Sequence, residues 1–404
     1  MAVIVQKFGG TSVANAERIF NVANRVVETY DNDNDVVVVV SAQGDTTDDL
    51  IEKAQEINPR ASKREMDVLL STGEQQSMAL LAMAIEKIGR PVVSLAAWQI
   101  GLMTDSNYSN SRIKRIVGNR IQAELDKHKI VVLAGFQGIN KFDDVTTLGR
   151  GGSDTSAVAV AVALGADLCQ IYTDVRGVFT ADPRIVPDAQ QLADISYDEM
   201  LELASLGANV LHNRSVEMAA KYNVNLEVLS SLEKAPGTIV KEANSVEKML
   251  VRGVARDNDV ARISLVNVED APGKAFQIFA LLAKKKVNVD VILQSLGRDG
   301  KKDISFTVPL GQLETTLKVI EDNRGLIGAE RVDHNENVSK VSIVGAGMAS
   351  NPGVAATMFE ALYDAGININ MISTSEIKIS VLIDKAYAEA AVRAIHEKFN
   401  LGKD

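Results

Sequence analysis

Five consecutive valines, Val36 to Val40 in DVVVVVS, restrict the fold of this chain more than any other feature. A strand with one solvated face alternates apolar and polar residues, whereas an unbroken apolar run has to be covered on both faces. Similar short runs recur up to about residue 240, in VIVQKF, PVVSL, KIVVLAG, LCQIYTD and NLEVL, with longer helical stretches between them. Such strands alternating with helices predict a three-layer α/β unit whose mostly parallel sheet is flanked by helices. Its expected extent is residues 1–245, and the 404-residue length leaves room for further compact units beyond it.

After EKAPGTIVKEANS the pattern changes to an internal repeat. Pro272, Gly273, Phe279, Leu282, Asn288 and Ser295 each meet an identical residue 80 positions later, so two copies of one module are expected at 246–335 and 336–404. Each copy reads as a strand (ARISLVNV, KVSIVGAG), a Pro-Gly turn, an amphipathic helix, a strand, a hairpin (DISFTVP, IKISVLI) and a helix. That order, βαββαβ, is the ferredoxin-like one. The repeat alone leaves open whether the modules stabilise, dimerise or sense a ligand.

Composition excludes several classes. The net charge is −10 and no basic run is longer than Lys284–Lys286, so no nucleic-acid surface is expected. The longest apolar segments, 36–40 and 157–166, fall short of the roughly 18–20 residues that span a bilayer. The first residues lack a basic region followed by a long apolar one, so no signal peptide is expected. The single cysteine, Cys169 in DLCQIY, has no internal partner and reads as strand core, which fits a soluble protein of the reducing cytoplasm.

The chemistry concentrates where strands meet helices. KFGGTS follows the first strand, SAQGDTTDDL the second, LSTGEQQS enters a helix, LGRGGSDTSA precedes one, and IYTDVRGVFTADPR follows a late strand. All are expected at the carboxyl edge of the sheet, where open α/β folds bind ligands. Gly9 and Gly10 let main-chain amides approach a guest closely, and a phosphate suits them. No G-x-x-x-x-G-K-[ST] and no protein-kinase signature set occurs, and GAGMAS at 345–350 belongs to the repeat rather than to a dinucleotide fold. In LGRGGSDTSA, Gly151 and Gly152 expose amides, Ser153 is expected to cap the following helix, and Arg150 adds a forked donor for carboxylate or phosphate. The competing reading is a tight turn with an ordinary serine cap. Asp174 and Asp182 suit Mg²⁺ held through water and phosphate, or else form an exposed acidic turn. Glu74 is expected at the start of a long helix, as a capping carboxylate or as the partner of an ammonium. An arginine and a glutamate in one pocket point to an amino acid.

KFGGTSV, SAQGDTTDDL, LLSTGEQQSMALLA, LGRGGSDTSA, TDVRGVFTADPR, ASLGANVLH and GVAATMFEALYDAGININMISTSEIKISVLI together resemble the aspartate kinases, of the monofunctional kind with two carboxyl-terminal ACT domains, over essentially the whole chain. The resemblance implies the amino-acid-kinase fold, and transfer of the γ-phosphoryl of ATP to the β-carboxylate of L-aspartate with Mg²⁺, toward lysine, threonine and methionine. It implies Lys7 at the transferring phosphoryl, with Phe8, Gly9, Gly10 and Ser12 beside it. Ser41, Thr47, Glu74, Arg150, Gly151, Gly152 and Ser153 would hold aspartate, Glu74 by its ammonium and Arg150 by its α-carboxylate, with Asp154 near the reacting groups. Thr173, Asp174, Phe179, Asp182, Pro183 and Arg184 would form the nucleotide side. It further implies feedback inhibition by lysine, threonine or both, with Asp270, Gly273, Ala275, Gln294, Asn368 and Ile369 as effector residues, and a homo-oligomer formed through the ACT domains. Met249 is either a linker methionine or an internal start for a separate regulatory subunit in an α2β2 assembly. Arg176, Phe179, Asn209 and Asn213 depart from the family pattern. Kinases of the same superfamily acting on glutamate, acetylglutamate, carbamate or nucleotides would not be expected to combine these motifs with tandem ACT modules. An amino-acid sensor with a degenerate kinase domain is the contrasting reading, and intact Lys7, Arg150, Asp154 and Asp174 weigh against it.

Overall fold

The computed structural model describes residues 1–206, 210–243, 250–346, 348 and 351–402. Met249 and Asn209 lie outside the described residues. The chain forms two compact units. One holds residues 1–179, 191–205 and the described part of 209–246; the other holds 180–190, Leu206 and the described part of 247–404.

The first unit is built on an eight-stranded sheet. Its order is Asp194–Ser196, Thr238–Lys241, Leu226–Ser230, Leu168–Thr173, Val3–Phe8, Asp35–Val40, Ile130–Ala134 and Val92–Leu95. Neighbours run parallel except for the pair Leu226–Ser230 and Thr238–Lys241. All six apolar runs read from the sequence are strands of this sheet.

All five valines of Val36–Val40 are fully buried. Strand side chains alternate between faces. Val36, Val38 and Val40 join Phe8 in a core with Ile19, Val22 and Val26 of the helix Ala16–Asp31 and with Leu81 and Ile85 of the helix Lys63–Ile88. Lys7 therefore points to the opposite face, toward the helix Gly152–Leu164, whose first ten residues are buried. The parallel register sets Phe8 opposite Val40 and Tyr172, so the residues following them, Gly9, Ser41 and Thr173, stand side by side at the carboxyl edge.

A second, four-stranded sheet in this unit, Ile113–Ile116, Leu102–Thr104, Gln137–Ile139 and Val145–Thr147, was not foreseen. Its strands of three or four residues are too short to carry a periodic signal. Asp67, on the helix Lys63–Ile88, ties this sheet down: its buried carboxylate accepts the main-chain N–H of Ser109 (2.9 Å) and of Thr147 (2.9 Å) and the Thr147 hydroxyl (2.8 Å).

The second unit contains two four-stranded antiparallel sheets, each accompanied by helices. The first runs Ile292–Gln294, Lys301–Val308, Ala261–Glu269 and Arg331–Asn335, with helices Lys274–Lys284 and Leu313–Asp322, contiguous along the chain as expected. The second runs Gly253–Asp257, Val338–Val344, Lys378–Asp384 and Met371–Thr374, with helices Val354–Asp364 and Ala388–Lys398. Here the contiguous βαββαβ expectation is corrected. The edge strand is Gly253–Asp257, which falls within the 246–335 span expected for the first copy, before its strand Ala261–Glu269, yet pairs antiparallel with Val338–Val344 of the second. The edge beside Val338–Val344 takes whichever strand supplies hydrogen bonds and apolar cover, and Val254 meets both needs by joining the core of this module. Residues 180–190 also belong to this unit. Ala181, Ile185 and Val186 pack with Ile395 and Leu401, and the Thr180 hydroxyl meets His396 Nε2 at 2.9 Å. No described helix is long and apolar enough to cross a membrane.

Candidate active site

Lys7 is the fixed point. Its Nζ lies 2.7 Å from Asp154 Oδ1, and both side chains are only 12% exposed. Asp154 stands in the first turn of the helix Gly152–Leu164, where the helix dipole favours a carboxylate. The pair thus sits between a strand end and a helix start, largely desolvated, with the ammonium oriented before any substrate arrives.

The glycines make room around it. A Cβ on Gly10 would stand 2.6 Å from the Ala42 carbonyl oxygen, and one on Gly9 only 3.5 Å from Lys7 Nζ. Main-chain bonds stitch the two strand-end loops together, from Ser41 N–H to the Phe8 carbonyl (3.1 Å) and from Gly44 N–H to that of Gly10 (3.1 Å), and Ser12 N–H to the Gly9 carbonyl (2.9 Å) tightens the first loop on itself. Ser12 is buried and its hydroxyl has no partner among the described residues. Phe8 does not face this space: its ring stacks on Tyr172 at 4.4 Å in the core, so its side chain is not a ligand contact. Period-two alternation sends it to the face away from Lys7.

Glu74 is not at a helix start. The helix begins at Lys63 with Ser62 as its cap, because LSTGEQQS continues a helix already under way. The Glu74 carboxylate is buried, accepts the Ala42 N–H through Oε1 (3.1 Å), and has an Oε2 with no partner among the described residues. Burial pushes its pKa up to about 7. A buried acceptor left over in this way calls for a partner, and an ammonium group supplies one.

Ser153 does not cap its helix. The cap position is Gly151, at φ +66° in the left-handed region, and Ser153 lies buried inside the first turn against Gly135. Arg150 is exposed and has neither an ion pair nor a side-chain hydrogen bond among the described residues. Thr47, half-buried, lies in the first turn of the helix Thr46–Ile57. Gly152 would clash with Phe136 if it bore a Cβ (2.8 Å).

Thr173 and the exposed Asp174 lie at the end of their strand, with the Thr173 hydroxyl 3.0 Å from Asp174 Oδ1. Arg176 pairs with Glu233 at 2.6 Å on the surface, and Phe179 forms a bridge with Gln191. Asp182, Pro183 and Arg184 belong to the second unit, where Asp182 accepts the Arg184 guanidinium at 2.8 Å, which holds its carboxyl below the usual range.

In the repeat, Asp270 pairs with Lys302 at 2.8 Å and lies against Gly297, three residues past Gln294. Gly273 caps the helix Lys274–Lys284 at φ +90°, and Ala275 and Gln294 are exposed. Asn368 is exposed, and Ile369 packs against the core of the second module.

The sequence reading overlooked two residues. His212 caps the helix Asn213–Tyr222, accepting the Arg214 N–H at 3.4 Å, and its ring lies where a Cβ on Gly151 would be, at 2.2 Å. Burial pushes its pKa below the ordinary value. Arg214 donates to the carbonyls of Leu148 (2.5 Å) and Ser111 (2.9 Å). The motif ASLGANVLH ends at His212 and nothing in it specifies what that ring touches, and Arg214 lies two residues beyond it.

A lysine, paired glycine amides and a buried carboxylate with one unpartnered oxygen at the carboxyl edge of a mostly parallel sheet are groups suited to phosphoryl transfer onto a small zwitterionic acceptor. Residues 2–230 match the amino acid kinase family, and residues 341–399 match an ACT domain. The chain is 52% identical to the aspartokinase of Geobacillus stearothermophilus, covering 100% of this chain and 98% of that one, and 50% identical to that of Bacillus sp. (strain MGA3), covering 99% and 98%. The structure of aspartate kinase from Synechocystis is similar with TM-score 0.56 and 46% identity, covering 99% of this chain and 70% of that one. E. coli aspartokinase III, solved in complex with aspartate and ADP, shares the fold with TM-score 0.83 and 24% identity, covering 98% and 99%. The chain belongs to the aspartokinases.

Proposed function

We propose that the chain transfers the γ-phosphoryl group of ATP to the β-carboxylate of L-aspartate, giving 4-phospho-L-aspartate and ADP, in the cytoplasm. The observation that carries this is the Lys7–Asp154 pair beside Gly9 and Gly10. A β-carboxylate with a pKa of about 4 is already ionised at neutral pH, so the acceptor needs no strong base. Repulsion between anions is the obstacle, and positioned cationic and amide donors overcome it. Lys7 stabilises the transferring group while Asp154 holds the ammonium in place. Gly9, Gly10 and Ser12 offer donors, Ser12 through a hydroxyl that is otherwise unpaired. Glu74 takes the substrate ammonium and Arg150 its α-carboxylate, with Ser41, Thr47 and Gly151 to Ser153 around them.

Thr173, Asp174, Phe179, Asp182, Pro183 and Arg184 are assigned to the nucleotide on the family resemblance. The exposed Asp174 is the kind of hard oxygen donor that a nucleotide-bound Mg²⁺ takes, and Mg²⁺ when bound neutralises phosphate charge. We assign 1–245, apart from residues 180–190 of the other unit, to catalysis, and 246–335 and 336–404, with the strand Gly253–Asp257 serving the second of these modules, to two ACT domains that join a homo-oligomer and sense lysine, threonine or both. Asp270, Gly273, Ala275, Gln294, Asn368 and Ile369 are the effector residues in this reading, and Met249 as an internal start would give the α2β2 alternative. A coupled assay with ATP, Mg²⁺ and L-aspartate, with hydroxylamine trapping the acyl phosphate, tests the reaction. ADP formation without aspartyl hydroxamate would refute it.

A further inference from the structure

The segment Leu211–Ser215 begins the helix Asn213–Tyr222, which packs along the helix Gly152–Leu164, yet it contributes nothing to the chemistry described so far. Its side chains grip both ends of the turn that carries Arg150. On the near side Arg214 donates to the Leu148 carbonyl, two residues before Arg150. On the far side the His212 ring fills the space over Gly151, one residue after it. A second arm of the same guanidinium donates to the Ser111 carbonyl, and the first also reaches Asn110 Oδ1 at 3.4 Å. Asn110 and Ser109 in turn crowd Gly149, where a Cβ would stand 3.4 Å from Asn110 Oδ1 and 3.1 Å from the Ser109 carbonyl. Gly149 and Gly151, at φ +78° and +66°, bear no side chains with which to hold the turn on either side of Arg150.

Arg214 is half-buried and forms no ion pair with a carboxylate among the described residues. A guanidinium spent only on neutral carbonyls is an expensive strut, since burial without a counter-charge opposes its ionised form. Nearby Arg112 adds a further positive charge, and Arg150 is exposed and unpaired. In a chain of net charge −10, Arg112, Arg150 and Arg214 are gathered near the turn where an acceptor anion would dock, with Asp105 and Glu217 as the opposing charges.

We propose that Arg214 is a positioning residue for the acceptor: its forked guanidinium fixes the Leu148–Gly152 turn against the 109–111 loop and so aims Arg150 at the substrate's α-carboxylate. The inference rests on the aspartate-kinase reading and extends it to a residue that does not touch substrate. A lysine keeps the charge but cannot reach two carbonyls at once.

The test compares Arg214→Lys, Arg150→Ala and the double variant, using L-aspartate, its α-amide and ATP. Arg214→Lys is expected to raise KM for aspartate at least about tenfold while KM for ATP stays within about twofold, because a displaced turn misaims one contact only. Its preference for aspartate over the α-amide should fall toward that of Arg150→Ala, and the double variant should be no worse than Arg150→Ala by more than about twofold. A merely structural role would move both KM values and leave the preference between acid and amide intact, and that result overturns the proposal. If Arg150→Ala impairs aspartate binding and Arg214→Lys does not, this inference alone fails; if Arg150→Ala leaves KM for aspartate unchanged, the pocket assignment fails and this inference falls with it. Should Arg214→Lys lose its native circular dichroism, Arg214→Gln, which keeps one amide donor, carries the same expectations.

Discussion

Glu74→Gln separates stability from function in one substitution. The Glu74 carboxyl, at an ordinary 4.5 when exposed, is pushed by burial to about 7 in the folded chain. Below pH 4.5 it is protonated in both states and contributes no pH dependence. As pH rises from 4.5 to about 7 the unfolded chain releases its proton and the folded chain keeps it, so stability falls through this window and levels off above it. At about 1.4 kcal/mol per pH unit, the loss amounts to roughly 3 kcal/mol. Glutamine keeps an oxygen for the Ala42 N–H and does not titrate, so the variant should lack this slope and be about 2–3 kcal/mol more stable than the parent at pH 8 relative to pH 5. Urea unfolding of the ligand-free protein at both pH values, followed by the fluorescence of Trp98, the single tryptophan and a residue of the same unit, measures it. The substrate ammonium favours the ionised carboxylate. Hence kcat/KM for aspartate should fall about tenfold for each pH unit below 7 in the parent and be flat and low in the variant. Equal pH slopes of stability in parent and variant would refute the burial argument, and an unchanged KM for aspartate would refute the ammonium contact.

Three further substitutions probe the rest. Lys7→Ala should lower kcat at least about a hundredfold, the scale of losing one preorganised donor, with a much smaller change in nucleotide affinity; steady-state kinetics and equilibrium binding of ADP separate the two. Gly10→Ala forces a methyl to within 2.6 Å of the Ala42 carbonyl, so it should cost about 1–3 kcal/mol in unfolding experiments and lower activity by displacing the Gly9–Gly10 amides. Gln294→Ala, on an exposed strand far along the chain from Lys7, should relieve inhibition by lysine or threonine while kcat holds; inhibition titrations with each amino acid and with both check it.

Lys7 and its glycines were legible because their chemistry is local: an apolar strand ending in a cation and two residues without side chains describes its own purpose. Glu74 was legible as a residue type and misjudged in position, since a helix that starts at Lys63 and runs through a polar STGEQQS stretch shows no break in the sequence. Arg214 and His212 were invisible, because their partners Leu148, Ser111 and Gly151 lie more than sixty residues away along the chain, and nothing in a hydrogen bond to a main-chain carbonyl depends on which residue owns it.

The sequence by itself determined the layered α/β unit, since Val36–Val40 can be buried only with cover on both faces, and it determined the paired modules, since the 80-residue spacing repeats through turn, helix and strand alike. Only the tertiary structure decided which face each side chain took, so that Lys7 met Asp154 while Phe8 went to the core. It also decided that Gly253–Asp257 closes the sheet of the second module and that residues 180–190 belong with that unit. Periodicity records how much of a segment must be covered, whereas the identity of the covering partner is settled by competition among all segments for the same edge or face, and that competition exists only once the chain has collapsed.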